Sequence, residues 1–144
     1  MLGGSSTHWG VPINTKETID AVLALKTWAV VGPSHNPNRA AFGVAKLLQD
    51  TGHRIIPIHP GAEVVHGETG YKILSEIPEL VDVVDCFVNS TLVGKVVDEA
   101  IAIGAKAVWL QLDVIDHEAI ARAQAAGLLT VMDRCPAIEY RARA

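Results

Sequence analysis

The chain has 144 residues, of which 49% are hydrophobic and 19% charged, and its net charge is −4. This is the composition of one globular domain rather than of a disordered chain. There is no basic run to track a nucleic-acid backbone and no apolar stretch of about 18 residues to span a bilayer, so neither nucleic acid nor membrane is an expected partner.

Residues 1–14, rich in Gly, Ser and Pro, read as an N-terminal arm with Trp9 as a candidate anchor, and residues 15–144 read as a single domain. The opening MLGGSSTHWGVP has neither the basic nor the apolar segment of a secretory leader. Cys86 and Cys135 form no CxxC pair, and a cytoplasmic protein is expected.

Helical spacing begins after the arm. Ile19, Val22 and Leu23 share a face, with Asn14 or Thr15 as the N-cap. Trp28–Val31 is an apolar run ending at Gly32, the first strand of the domain. Asn36–Gln49 follows as a helix with Ala41, Val44, Ala45 and Leu48 on one stripe and Gly52 as its stop. Arg54–Ile58 is the second strand; Pro57 lacks the N–H a ladder needs, which puts this strand near a sheet edge or at a bulge. Val64–Val65 is a rudimentary third strand, followed by a short helix near Ile73–Glu76. Strands over Val81–Val88, Lys106–Leu110 and Leu128–Met132 then alternate with helices over Leu92–Ile103 and Asp116–Ala126, which Gly104 and Gly127 close. Near-continuous apolar strands separated by helices predict a doubly wound α/β domain, a parallel sheet of order 3-2-1-4-5-6 with helices on both faces. Its ligand belongs outside the carboxyl ends of the strands, at the switch point between the first and fourth.

The residues just past each strand are therefore the candidates. Gly32, Pro33, Ser34, Pro37 and Arg39 follow the first strand. Gly32 permits a tight turn, Pro37 suits the first turn of a helix, Ser34 offers a hydroxyl and Arg39 a charge; free N–H groups at the helix start complete a pyrophosphate site. An ordinary turn with a surface arginine is the competing account. Ile58, His59 and Pro60 stand past the second strand, where an NAD site wants an acid for the ribose. A GxGxxG fingerprint is absent as well. Val88, Asn89 and Ser90 end the fourth strand, with Asn89 free to meet a base or amide and Ser90 equally suited to cap the next helix. Gln111 ends the fifth strand, in reach of the ligand's far arm or of a loop. Asp133 and Arg134 read as a salt bridge at the sheet's end, and Cys135 beside them as a candidate nucleophile without an identifiable base. Asp82 and Asp85, three apart on a strand, face opposite sides and form no catalytic pair; Asp85 needs a partner inside the sheet. Asp113 and Asp116 look like caps or first-turn acids. The six histidines form no HxxxH or HExxH spacing, and no metal site is assigned.

Taken together, VVGPSHNPNR (30–39), GHRIIPIHP (52–60), GETGYKILSEIP (67–78), VDVVDCFV (81–88), EAIAIGAKAVWLQLDV (99–114) and AGLLTVMDRCPAIEY (126–140) resemble the small stand-alone CoA-binding proteins. These are related to the nucleotide-binding domain of the succinyl-CoA synthetase α subunit. The resemblance runs from residue 15 onward and implies a Rossmann-like fold that binds coenzyme A with no reaction of its own. By position, it implies Gly32 and Ser34 at the pyrophosphate, Ile58 and Pro60 at adenosine, Val88 and Asn89 on the adenine or phosphate side, and Gln111 further out. The synthetase relatives carry a lysine two residues after the proline past the second strand; this chain has Ala62, so Arg39 or His59 would have to meet the 3′-phosphate. The synthetase's phosphorylated histidine and ATP-grasp partner have no counterpart here, and ligase activity is not implied. A small nucleotide is the expected partner, while homo-oligomer and enzyme partner stay open. The competing functions are an enzyme using Cys135 and an NAD-binding redox or regulatory module.

Overall fold

The computed structural model describes Thr7–His8 and residues 11–144; Trp9, expected to anchor the arm, lies outside them. Strands β1 (Thr7–His8) and β2 (Val11–Pro12) pair antiparallel. Asn14 then clasps the backbone of Met132, donating from Nδ2 to its carbonyl at 2.7 Å and accepting its N–H at 2.9 Å. Thr15 is the N-cap of α1 (Lys16–Leu23), its hydroxyl accepting from Thr18 N at 3.1 Å. Of the two cap candidates, Asn14 is thus used for docking and Thr15 for capping.

The main sheet is five-stranded and parallel: β3 (Thr27–Val31), β4 (Arg54–Ile58), β5 (Val83–Cys86), β6 (Ala107–Leu110) and β7 (Leu129–Val131), ordered β4-β3-β5-β6-β7. Helices α2 (Ala40–Asp50), α3 (Ser90–Ala102), α4 (His117–Ala125) and α5 (Pro136–Arg143) complete the domain with α1. This is the Rossmann-like α/β architecture expected, with β4 and its Pro57 at the edge. The rudimentary third strand expected at Val64–Val65 is the correction. Val65 makes only an isolated antiparallel bridge with Glu68, and Tyr71 touches the sheet through one parallel bridge to Ile58. Left-handed backbone at Ala62 (φ 51°) and His66 (φ 50°) turns the segment back on itself before a ladder can form.

The period-2 alternation of the strands sorts their side chains onto two faces. Ala29, Val84, Cys86, Val108 and Leu110 pack under α3 and α4, against Val93, Val97, Ile120 and Ala123. Trp28, Val30, Val83 and Trp109 pack under α1 and α2, with Tyr140 of α5 at the margin. The two indoles are buried 5.6 Å apart, and each N–H finds a carbonyl: Trp28 that of Leu25, Trp109 that of Arg134. Truncating either would cost about 3–5 kcal/mol. Among the described residues no helix is long and apolar enough to cross a membrane.

Candidate functional site

Chain order reverses direction between β3 and β5, which opens a crevice at the carboxyl ends of the strands. Two adjoining lobes fill it. One, of about 390 Å³, lies between the α2 start and the β5 and β6 ends; the other, of about 470 Å³, lies over the ends of β3 and β4. Pro33, Arg39 and Val88 border both lobes.

Gly32 makes the floor. Its φ is 137°, and a Cβ there would sit 2.7 Å from the Phe87 carbonyl oxygen, so the β3–α2 turn can cross this close to β5 only with glycine. Ile58, His59 and Pro60 wall the β4 lobe, and Asn89 and Gln111 wall the other. Of Gly32, Pro33, Ser34, Pro37, Arg39, Ile58, His59, Pro60, Val88, Asn89 and Gln111, the eleven expected at a nucleotide, nine therefore border the crevice. The two that do not are Ser34 and Pro37. Ser34 is 1% exposed, its N–H is spent on the Gly32 carbonyl, and its hydroxyl has no partner. Pro37 is not in the first turn of a helix: α2 begins at Ala40, because Asn36 precedes a proline and turns through its own side chain, which accepts from Asn38 N at 2.9 Å. Of the first turn of α2, Ala40 and Ala41 line the crevice, and the N–H groups of a helix's first turn have no partner within the helix. Asn89, not Ser90 or Thr91, caps α3, accepting from Thr91 N, whereas Ser90 bonds the Asp113 carbonyl and the Ile115 N–H.

Lys72 was not singled out by the sequence. The bridge between Tyr71 and Ile58 brings it to the β4 lobe beside Ile73 and Leu74. Among the described residues neither Arg39 nor Lys72 has an ion-pair partner. The acids bordering the crevice are Asp113 and Glu99.

Beneath Gln111 lies Asp85, fully buried on β5, which accepts a hydrogen bond from the Gln111 amide. Burial pushes its carboxyl up to about 8, against the smaller pull of that bond. Its second oxygen is unpartnered. Burial, with the Asp85 charge beside it, also pushes the Cys86 thiol well up, which makes it a core residue and not a nucleophile. Cys135 stands at the N-cap of α5 against the core and borders neither lobe. The salt bridge expected between Asp133 and Arg134 does not form: Arg134 donates to the Asp133 carbonyl at 2.9 Å, and the Asp133 carboxylate accepts from Asp113 N at 2.7 Å. Asp133 is held left-handed at φ 61°, which aims its side chain across to that loop. Asp116 caps α4 as read, accepting from Ala119 N.

Residues 26–141 match the family model of the CoA binding domain. The chain belongs to that family. It is 33% identical over 110 residues to the uncharacterised protein YneT of Bacillus subtilis, covering 76% of this chain and 82% of that one. A hypothetical protein from Pyrococcus horikoshii OT3 has the same architecture at a TM-score of 0.84 and 38% identity, over 89% of this chain and 91% of that one. A dinucleotide-forming acetyl-coenzyme A synthetase of Ca. Korarchaeum cryptofilum shares the fold at a TM-score of 0.69 and 23% identity; the match takes in 80% of this chain but 28% of the synthetase.

Proposed function

We propose that this chain binds coenzyme A, free or acylated, in the crevice over β3, β4 and β5, and that binding is its whole task. The observation that carries this reading is the pairing of Arg39 and Lys72, two cations without an ion-pair partner among the described residues, with the open first turn of α2 along a crevice whose β4 lobe is walled by Val31, Ile58, Pro60 and Leu74. The N–H groups of Ala40 and Ala41 and the Arg39 guanidinium suit a pyrophosphate. Val31, Ile58, Pro60 and Leu74 suit a flat base, and Lys72 beside His59 supplies the cation for a 3′-phosphate that Ala62 does not. Ile58-His59-Pro60 at the end of β4 provides no carboxylate for the ribose diol of NAD. Native mass spectrometry of gently purified protein tests this. The expected result is an adduct of CoA or acyl-CoA mass that saturates at one per chain on adding CoA; no adduct after that addition contradicts it.

A further inference from the structure

We propose a second site: His35, His59 and Glu63 form a three-ligand centre for a divalent transition metal such as zinc, at the outer wall of the β4 lobe. Their ligand atoms all lie within 4.8 Å of one another. Donors around a tetrahedral zinc stand about 3.3 Å apart, given metal–ligand bonds near 2.0–2.1 Å. All three side chains are partly exposed, so small rotations close the set.

Hydrogen bonding alone does not account for the cluster. A proton on His59 Nδ1 joins that nitrogen to Glu63 Oε1 at 3.0 Å. The same oxygen is 3.8 Å from His35 Nδ1, a buried nitrogen with no hydrogen-bond partner at all. The two imidazoles are 4.3 Å apart between ring centres, crowded around one carboxylate. One cation in place of the single proton would engage all three. The local backbone supports this placement. Ala62 is left-handed at φ 51°, folding Glu63 back toward His59, and a Cβ on Gly61 would fall 2.2 Å from the Glu63 carboxylate. Two imidazoles and one carboxylate select Zn²⁺, Co²⁺ or Ni²⁺ over Mg²⁺ or Ca²⁺, which prefer all-oxygen shells. Three protein ligands leave a position free. Because His59 also borders the β4 lobe, a phosphate oxygen of a nucleotide there is the fourth donor; this last step alone rests on the function proposed above.

The test is titration of the full chain with Co²⁺, followed by its visible absorption. One equivalent should bind with intense tetrahedral-type bands, equimolar Zn²⁺ should displace it and a hundredfold excess of Mg²⁺ should not. His35→Ala and Glu63→Gln should each weaken binding at least tenfold, whereas His66→Ala, whose ring bonds the Phe42 carbonyl instead, should not. No bands in the wild type, or equal binding by the His35 and Glu63 variants, overturns the site. Adding CoA to the cobalt form should shift the bands. Unmoved bands with CoA bound, as read by calorimetry, remove the fourth donor and leave the site standing; failure of metal-free protein to bind CoA strikes the function proposed above instead.

Discussion

The two ends of the parallel sheet are built differently. At the amino ends of the strands, polar groups are matched. Asp82 accepts from Lys26 N and Thr27 N at 3.2 and 3.0 Å and pairs with Lys106, and Arg54 forks onto Glu79 while reaching Glu68 at 2.9 Å. At the carboxyl ends, polar groups wait. Among the described residues the buried Ser34 hydroxyl, His35 Nδ1 and one oxygen of Asp85 have no hydrogen-bond partner, nor, away from this end, has Gln124 Oε1 on α4, and Arg39 and Lys72 have no counter-ion. Unsatisfied buried groups cost stability. Three of those four atoms belong to the β3–α2 turn and to β5, the part of the sheet over which the ligand is proposed to lie.

The comparison breaks most visibly if cations are removed from the crevice. Replacing Arg39 and Lys72 together by Ala should weaken CoA binding about a hundredfold, or about 2.8 kcal/mol, with an unchanged melting temperature; isothermal calorimetry and a thermal melt read the two quantities. Asp82→Ala should do the reverse. It strands the partly buried Thr27 N–H at the start of β3 and leaves the exposed Lys26 N–H to water, costing about 1 kcal/mol, a fall of about 3 °C in Tm, with CoA affinity retained. A variant that lost affinity and stability in parallel would erase the distinction between the ends.

Asp85 sharpens the comparison through pH. Its carboxyl rises from an ordinary 3.8 to about 8 in the folded state. The folded chain therefore holds that proton more tightly than the unfolded chain, so the stability linked to it is complete below 3.8 and is lost as pH rises toward and through 8. Asp85→Asn removes this titration, and its Tm relative to wild type should be higher at about pH 9 than at about pH 5. A constant difference across that window would mean that Asp85 does not titrate there. The smallest effect belongs to Cys135→Ala. With its side chain outside both lobes, CoA affinity should change less than tenfold, about 1.4 kcal/mol; a larger loss by calorimetry would bring the thiol end of the ligand to α5.

Much of this was legible because the sheet is covered on both faces. β3, β5, β6 and β7 stand out as apolar runs, and the absent N–H of Pro57 points to an edge or a bulge for β4, which is the edge strand. Crevice residues that directly follow a strand, such as Gly32, His59 and Gln111, follow from the same logic. What failed depends on chain reversals. Val64–Val65 has strand-like side chains, but the left-handed turns at Ala62 and His66 keep it out of the sheet. The same reversals fold Glu63 back onto His59 and precede the segment that brings Lys72 to the β4 lobe, which no spacing rule anticipates. Ser34, expected to offer its hydroxyl to a pyrophosphate, is only 1% exposed, so a Ser34→Glu variant would bury a carboxylate and test folding rather than binding. Helix α5 went unread, although Pro136 at its first turn, Glu139 near its start and Arg143 at its end are the expected signals. Pro136 is its one buried residue, so it carries no apolar stripe.

The central claim, a crevice matched to CoA rather than to NAD, is tested most directly by thermal melts of the full chain with each ligand at equal concentration. A ligand confined to the folded state adds about 2.7 kcal/mol at a hundred times its Kd, or about 5–10 °C for a domain of this size. Both ligands carry the pyrophosphate that the α2 start would meet, so the difference arises at β4, where His59, Pro60 and Lys72 stand in place of a ribose-binding acid. The account predicts that full shift with CoA, a smaller one with dephospho-CoA, and little or none with NAD. Greater stabilisation by NAD than by CoA would contradict it.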